Sequence, residues 1–232
     1  MIVPYFDITY LLFSLPAILI GLMAQMLLSY WTNKYRHVGN AGNLTGIDAV
    51  ERIAKAKDLQ IRLETTPAEL SDNYNPQTRT LTISDFVAHE ASIASVGIAA
   101  HELGHAMQHK QASLLFNLRT AIVPLVSIGT SFGYILLIMG ILIGLTQLAW
   151  VGIILFSSTT LFSLVTLPVE LDASRRALNM ISETQLLYPD EIPGVRKVLF
   201  AAALTYVAGT LQSLGALLYF IFRVQGMSGK RK

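Results

Sequence analysis

The sequence predicts a mainly α-helical integral membrane protein: about four transmembrane helices and one small α+β polar region. Three observations carry this reading. The chain has 232 residues, of which 53% are hydrophobic and only 14% charged, with mean hydropathy +0.51; a typical soluble domain is about one-quarter charged. The shortfall is concentrated, because residues 8–33, 120–169 and 198–222 contain no Asp, Glu, Lys or Arg. The remaining polar residues gather in two blocks, 31–119 and 169–197.

A helix crosses the hydrocarbon core with about 20 apolar residues. The first and last uncharged runs therefore hold one span each, and the middle run holds two. The predicted spans are about 8–29, 121–145, 147–168 and 198–222, with the middle pair turning near Gly144–Gln147. No Lys or Arg precedes the first run, the run is long, and no Ala-x-Ala site follows, so it reads as an anchor and not as a cleaved leader. The implied organisation is an N-terminal anchor (1–30), a polar region (31–119), a transmembrane hairpin (120–168), a second polar segment (169–197), and a last helix with a basic tail (198–232).

Basic residues orient the spans. Nine lie between Lys34 and Arg119, and Arg175, Arg176, Arg196 and Lys197 lie in the second segment. The positive-inside rule places both polar blocks in the cytoplasm and the N-terminus outside. Arg223, Lys230, Arg231 and Lys232 then fall outside, against the rule. A re-entrant or surface-tilted last helix, or dominance of the early spans, would each account for this.

Within 31–119, Asn40–Gly46 has loop composition. Thr45 is placed to N-cap a helix to about Asp58, with Ile47, Val50, Ile53 and Ala54 on one face. Gln60–Thr66 and Arg79–Ser84 alternate as strands, and Asp72–Gln77 supplies turn chemistry between them. The resulting sheet of two or three strands either offers an edge to an extended peptide or simply covers the helix that follows. That helix is expected over about Ser92–Gln108, with His89 and Glu90 in its first turn and small residues such as Gly97 for close packing.

The chemistry concentrates on this helix. His101-Glu-Leu-Gly-His105 places two imidazoles four residues apart, on one helical face, where both can ligate one Zn²⁺. Glu102 is placed as general base. The motif alone is a modest signal. Glu170, at the end of a span, strengthens it: two spans separate it from His105, so both face the same side. Glu170 is the expected third ligand, since a carboxylate at a span end is costly unless paired. Asp172 is either the ligand instead or a partner for a ligand imidazole N–H. His109, one turn past His105, is a weaker candidate. Asn73, Tyr74 and His89 are candidate donors to a substrate carbonyl oxygen. Arg175 and Arg176 are expected to anchor the helix end to lipid phosphates. With no cysteine, disulfides and thiolate ligands are excluded. The basic residues form no aromatic-interleaved patch for nucleic acid.

Ala100-His-Glu-Leu-Gly-His-Ala-Met-Gln108, the preceding Ser92-Ile-Ala-Ser-Val-Gly-Ile-Ala, Pro168-Val-Glu-Leu-Asp-Ala-Ser-Arg-Arg-Ala177, Asp72-Asn-Tyr-Asn-Pro76 and Arg196-Lys-Val-Leu-Phe-Ala-Ala-Ala-Leu-Thr-Tyr206 together resemble the bacterial membrane-bound neutral zinc metallopeptidases. More distantly they are similar to the heat-shock and prenyl-protein membrane endopeptidases. The resemblance spans nearly the whole chain. It implies a zincin-like catalytic region of gluzincin type, with one Zn²⁺ per chain on His101, His105 and Glu170 and with Glu102 as base. The distant relatives carry Glu-x-x-x-Asp downstream, whereas four residues after Glu170 this chain has Ser174. The expected function is a multi-pass metalloendopeptidase of the bacterial cell membrane. Its partners are the lipid bilayer and protein or peptide substrates near the cytoplasmic face, with no nucleic acid. The alternative from another class is a non-catalytic adaptor whose zinc is structural and fully ligated, with His109 or Asp172 as a further ligand.

Overall fold

The computed structural model describes residues 8–229; the first seven residues and the Lys230–Lys232 part of the basic tail lie outside it. Seven helices and three strands follow in order: α1 (Ile8–Arg36), α2 (Gly46–Ala56), β1 (Arg62–Thr66), β2 (Asn73–Asn75), β3 (Thr80–Ser84), α3 (Asp85–His89), α4 (Ile93–Lys110), α5 (Leu114–Leu142), α6 (Thr146–Glu183) and α7 (Ile192–Gly229). They form two compact units. One draws on residues up to Met23, Leu118–Leu167 and Thr205 onward; the other is Ala24–Asn117 with Pro168–Leu204.

In the first unit, the four apolar helices α1, α5, α6 and α7 are each long and apolar enough to cross a membrane. Large apolar side chains such as Leu12, Leu125, Phe132, Ile154 and Phe222 point outward and are more than half exposed. Such a surface belongs in lipid, where helices satisfy their own backbone groups. Between the helices the packing is polar and small. Thr130 bonds Thr159, and Ser163 bonds Ser213 at 2.8 Å. The α5–α6 turn falls where the sequence places it. Gly144 takes φ 70°, and Leu145 and Gly144 donate to the carbonyls of Gly140 and Ile141, a glycine-capped helix end.

The second unit holds the sheet, α2, α3 and α4. Thr45 caps α2 and shares a reciprocal capping box with Asp48. Ala49, Val50 and Ile53 turn into a core with Leu81, Ile83, Val87, Leu103, Ile181 and Val195. The sheet order is β1-β3-β2, with β1 parallel and β2 antiparallel to β3. Residues 73–75, expected as turn, are the edge strand β2; the turn lies just beyond, where Asn75 accepts from Gln77 N–H. The anchoring contact is Asp72, whose carboxylate accepts from Ser84 N–H at 2.7 Å and draws β2 into register.

Four expectations change at the element ends. α1 continues to Arg36 and α6 to Glu183, past the uncharged runs that end at residues 33 and 169, because charge ends a span without ending a helix. Ala, Leu, Arg and Met after Pro168 all favour helix. His89 and Glu90 do not begin α4: His89 ends the short α3, Glu90 caps it, and Ser92 caps α4 by accepting from Ser95 N–H. α7 is one unbroken helix, so within the described residues it is not re-entrant. Arg175 and Arg176 both pair with Asp172, and Arg176 also bonds Gln111, so a protein carboxylate engages both, while the Arg175 side chain stays 73% exposed.

Candidate metal centre

The helix α4 is buried on nearly every side, with Ala94, Val96, Ala99, Ala100 and Leu103 inaccessible. Its small residues allow this. It approaches α6 closely at Gly104, where a Cβ would lie 2.5 Å from the Ala173 carbonyl oxygen. Gly104 thus lets the backbone of α4 run against α6 between the two histidines. That contact brings His101 and His105 opposite Glu170, which α6 carries into the core at 2% exposure.

The geometry at Glu170 is compact. His101 Nε2 lies 3.3 Å and His105 Nε2 3.5 Å from Glu170 Oε2. The three ligand atoms all fall within 4.8 Å of one another. Two imidazole nitrogens and a carboxylate oxygen form a zinc donor set. Ligands held tetrahedrally about 2.0–2.2 Å from one ion lie about 3.3–3.5 Å from each other. The residues present therefore fit a zinc ion, in chemistry and in spacing. Glu102 lies between the two histidines in sequence and is buried.

Each imidazole is oriented from behind. His101 Nδ1 lies 3.2 Å from Ser174 Oγ, and His105 Nδ1 lies 3.0 Å from Gln108 Oε1. With Nε2 directed at the ligand position, Nδ1 carries the hydrogen and donates to both oxygens. Gln108 passes the contact on: its amide donates to the Val169 carbonyl at 2.8 Å and to Asp172 Oδ2 at 2.9 Å. Asp172, expected to touch a histidine or the metal, is instead one residue removed, with Gln108 between it and His105. Sequence reasoning did not pick out Gln108 and Ser174 as site residues. Spacing could have found both, since Gln108 is three residues past His105 and Ser174 four past Glu170, each on the inward helical face.

The substrate-side candidates separate. Asn73 is exposed and donates to the Ser71 carbonyl. His89 is exposed at the end of α3. Tyr74 Oη lies 2.9 Å from His109 Nδ1, and the rings of His105 and His109 both pack 6.0 Å from Phe116. Burial pushes the Tyr74 hydroxyl above its usual pKa, so it stays protonated at neutral pH. Tyr74 and His109 line a cavity of about 300 Å³ with Asp58, Leu59, Arg79 and Lys110.

Fold and donor set together define a class: a multi-pass membrane protein carrying the ligand arrangement of a zinc peptidase. A family model described as "Putative neutral zinc metallopeptidase" matches residues 10–225. "Putative membrane protease YugP" of Bacillus subtilis (strain 168) is 38% identical over 208 residues, covering 86% of this chain and 92% of that protein. No solved structure matches the chain. The chain belongs to this neutral zinc metallopeptidase family.

Proposed function

We propose that this chain is a zinc-dependent endopeptidase that cleaves membrane proteins or peptides near the cytoplasmic face. The observation that carries the reading is the three-ligand set His101, His105 and Glu170, with the buried carboxylate of Glu102 beside it on α4. Three protein ligands leave one position open, the pattern of catalytic zinc and not of structural zinc. When bound, the ion supplies Lewis acidity and brings the pKa of water towards 7.

The residues of the chain do the rest. Glu102 accepts a proton from the attacking water and delivers it to the leaving amine. Glu170 sets the two imidazoles against one point, while Ser174 and Gln108 fix their tautomers. In the tautomer with hydrogen on Nδ1, His109 donates to Tyr74 Oη and the Tyr74 hydroxyl hydrogen is open to a substrate carbonyl oxygen. Residues 31–119 and 169–197 form the hydrolytic part, and 1–30, 120–168 and 198–232 hold it at the bilayer. Sidedness rests on the thirteen basic residues of those two polar blocks.

The adaptor reading needs a fourth protein ligand. Its two candidates are engaged elsewhere, His109 with Tyr74 and Asp172 with Gln108, Arg175 and Arg176. Zinc content and hydrolysis of an unfolded test protein in detergent, for wild type and Glu102→Gln together, test the proposal. One zinc in both with cleavage lost by roughly 10²–10⁴-fold in the variant is expected. Full cleavage by Glu102→Gln would falsify the base assignment, and absence of cleavage in both would favour the adaptor.

A further inference from the structure

Apart from Arg175 and Arg176, which pair with Asp172, a second group of cations stands at the ends of the apolar runs. Lys34 is the first charged residue after the uncharged run 8–33, and Lys197 is the last before the run 198–222. The two belong to different helices, yet the fold collects them on one side chain. Gly194 permits it: a Cβ there would lie 2.8 Å from Tyr35 Cε1, so α7 packs tightly under the end of α1. One turn further along each helix, Lys197 Nζ sits 4.7 Å from the centre of the Trp31 ring, and Lys34 Nζ sits 5.3 Å from it. Tyr30 and Tyr35 flank the same indole at 4.7 and 5.8 Å.

Unlike Arg36, Lys57, Lys110, Arg175 and Arg176, neither lysine has an acidic side-chain partner among the described residues. Beside Lys197 opens an apolar groove of about 440 Å³, lined by Pro189, Ile192, Pro193, Arg196 and Phe200, the last 60% exposed. Interfacial tryptophan and tyrosine with unpaired lysine at the end of an apolar run mark headgroup depth.

We propose that Lys34 and Lys197, gathered on Trp31, bind the phosphate of an anionic phospholipid, whose glycerol and upper acyl chain enter the groove beside Lys197. Charge selects the headgroup. Two ammonium groups without a carboxylate attract a net-negative lipid and repel a choline. The indole, which could otherwise hold a quaternary amine, already carries the protein's own cations. The apolar groove selects lipid over free phosphate. This site does not depend on the hydrolytic reading.

The chain has two tryptophans, so Trp150→Phe leaves Trp31 as the reporter. The test titrates the full-length protein in detergent with dibrominated phosphatidylglycerol or dibrominated phosphatidylcholine and follows quenching of Trp31. The phosphatidylglycerol is expected to quench with an apparent affinity higher by on the order of five-fold at low salt. The preference should disappear in Lys34→Gln/Lys197→Gln and persist in Lys34→Arg/Lys197→Arg. In the unsubstituted lysine protein it should fade as salt is raised to about 1 M, a readout that needs no variant to fold. Equal quenching by both lipids at low salt overturns the proposal. So does a preference indifferent to salt and to the glutamines, or displacement of the lipid by millimolar inorganic phosphate.

Discussion

Gly104→Ala separates the fold from the site. The added Cβ would lie 2.5 Å from the Ala173 carbonyl oxygen and 3.1 Å from the Ala173 carbonyl carbon and Cα. All are backbone atoms, so no side chain can turn away. Ordinary contact begins at about 3.4 Å, so α4 and α6 must part by about 0.9 Å at this point. Overpacking of this kind costs about 1–3 kcal/mol. Replacing glycine by alanine inside a helix returns about 1 kcal/mol. The net loss of stability is therefore about 0–2 kcal/mol, small enough to leave the protein folded.

The metal centre tolerates less. Glu170 lies only 3.3 and 3.5 Å from the two Nε2 atoms, on either side of this contact. A shift of about 0.9 Å stretches both separations beyond a tetrahedral ligand set, and misplacements of this size cost about 10² in rate. We expect zinc affinity to fall by roughly 10–100-fold, as for other perturbations of ligand orientation, and hydrolysis to fall at least as far. Helix content should stay near wild type by circular dichroism. Competition with a chromophoric chelator measures the zinc affinity. Gly97→Ala is the control on the same helix, because the three atoms nearest its Cβ all belong to the Val195 side chain, the nearest at 2.9 Å. If Gly104→Ala binds zinc within two-fold of wild type and still cleaves, Glu170 is not positioned by this contact.

Gln108→Leu removes the acceptor behind His105, so zinc affinity should fall by about 10–100-fold; unchanged affinity by the same chelator assay would dismiss the Gln108 link. Tyr74→Phe should slow hydrolysis by roughly 10–100-fold with zinc retained, and a variant that loses zinc or keeps its rate counts against the hydroxyl as donor. Burial raises the Asp72 carboxyl above its ordinary pKa, with the bonds from Ser84 opposing. The folded state then binds more protons in the window above the unfolded pKa, so this group's contribution to stability falls as pH rises through that window. Asp72→Asn keeps an acceptor for Ser84 N–H and should flatten the fall in melting temperature above pH ~4; a slope identical to wild type would refute it.

The parts legible in the sequence are those fixed by composition or short-range spacing. Uncharged runs mark α1, α5, α6 and α7, because water exclusion acts over the whole run. The spacing of His101 and His105 is a property of one helix. Thr45 announces its cap because the bond it makes is three residues away. Element ends are less legible. Nothing at Pro168 stops α6, since the proline removes one hydrogen bond and the residues after it favour helix. Asn73–Asn75 has the composition of a turn and becomes a strand, because Asp72 reaches Ser84 across the sheet, a contact between residues that local propensity does not connect. The pairs of Asp172 with Arg175 and Arg176 lie three and four residues apart on α6 and were open to spacing, whereas the bonds of Gln108 to Asp172 and of Arg176 to Gln111 are tertiary.

Ser174 shows why a departure from the distant relatives' Glu-x-x-x-Asp pattern is compatible with the proposed site. An aspartate there would place a third carboxylate beside Glu170 and Glu102, in a region where both are buried. A divalent ion balances two such charges, and a further buried anion would need its own partner. Ser174 offers the His101 Nδ1 hydrogen an oxygen without a charge. On the other histidine the same economy is reached differently: Gln108 presents a neutral oxygen to His105, and the negative charge of Asp172 sits beyond it, balanced by Arg175 and Arg176. Both imidazoles thus lean on neutral acceptors. A neutral acceptor makes an imidazole a weaker donor to the ion than a carboxylate would. A zinc ion held there would keep more of its Lewis acidity as a result, which suits the proposed attack on a peptide carbonyl better than a structural role.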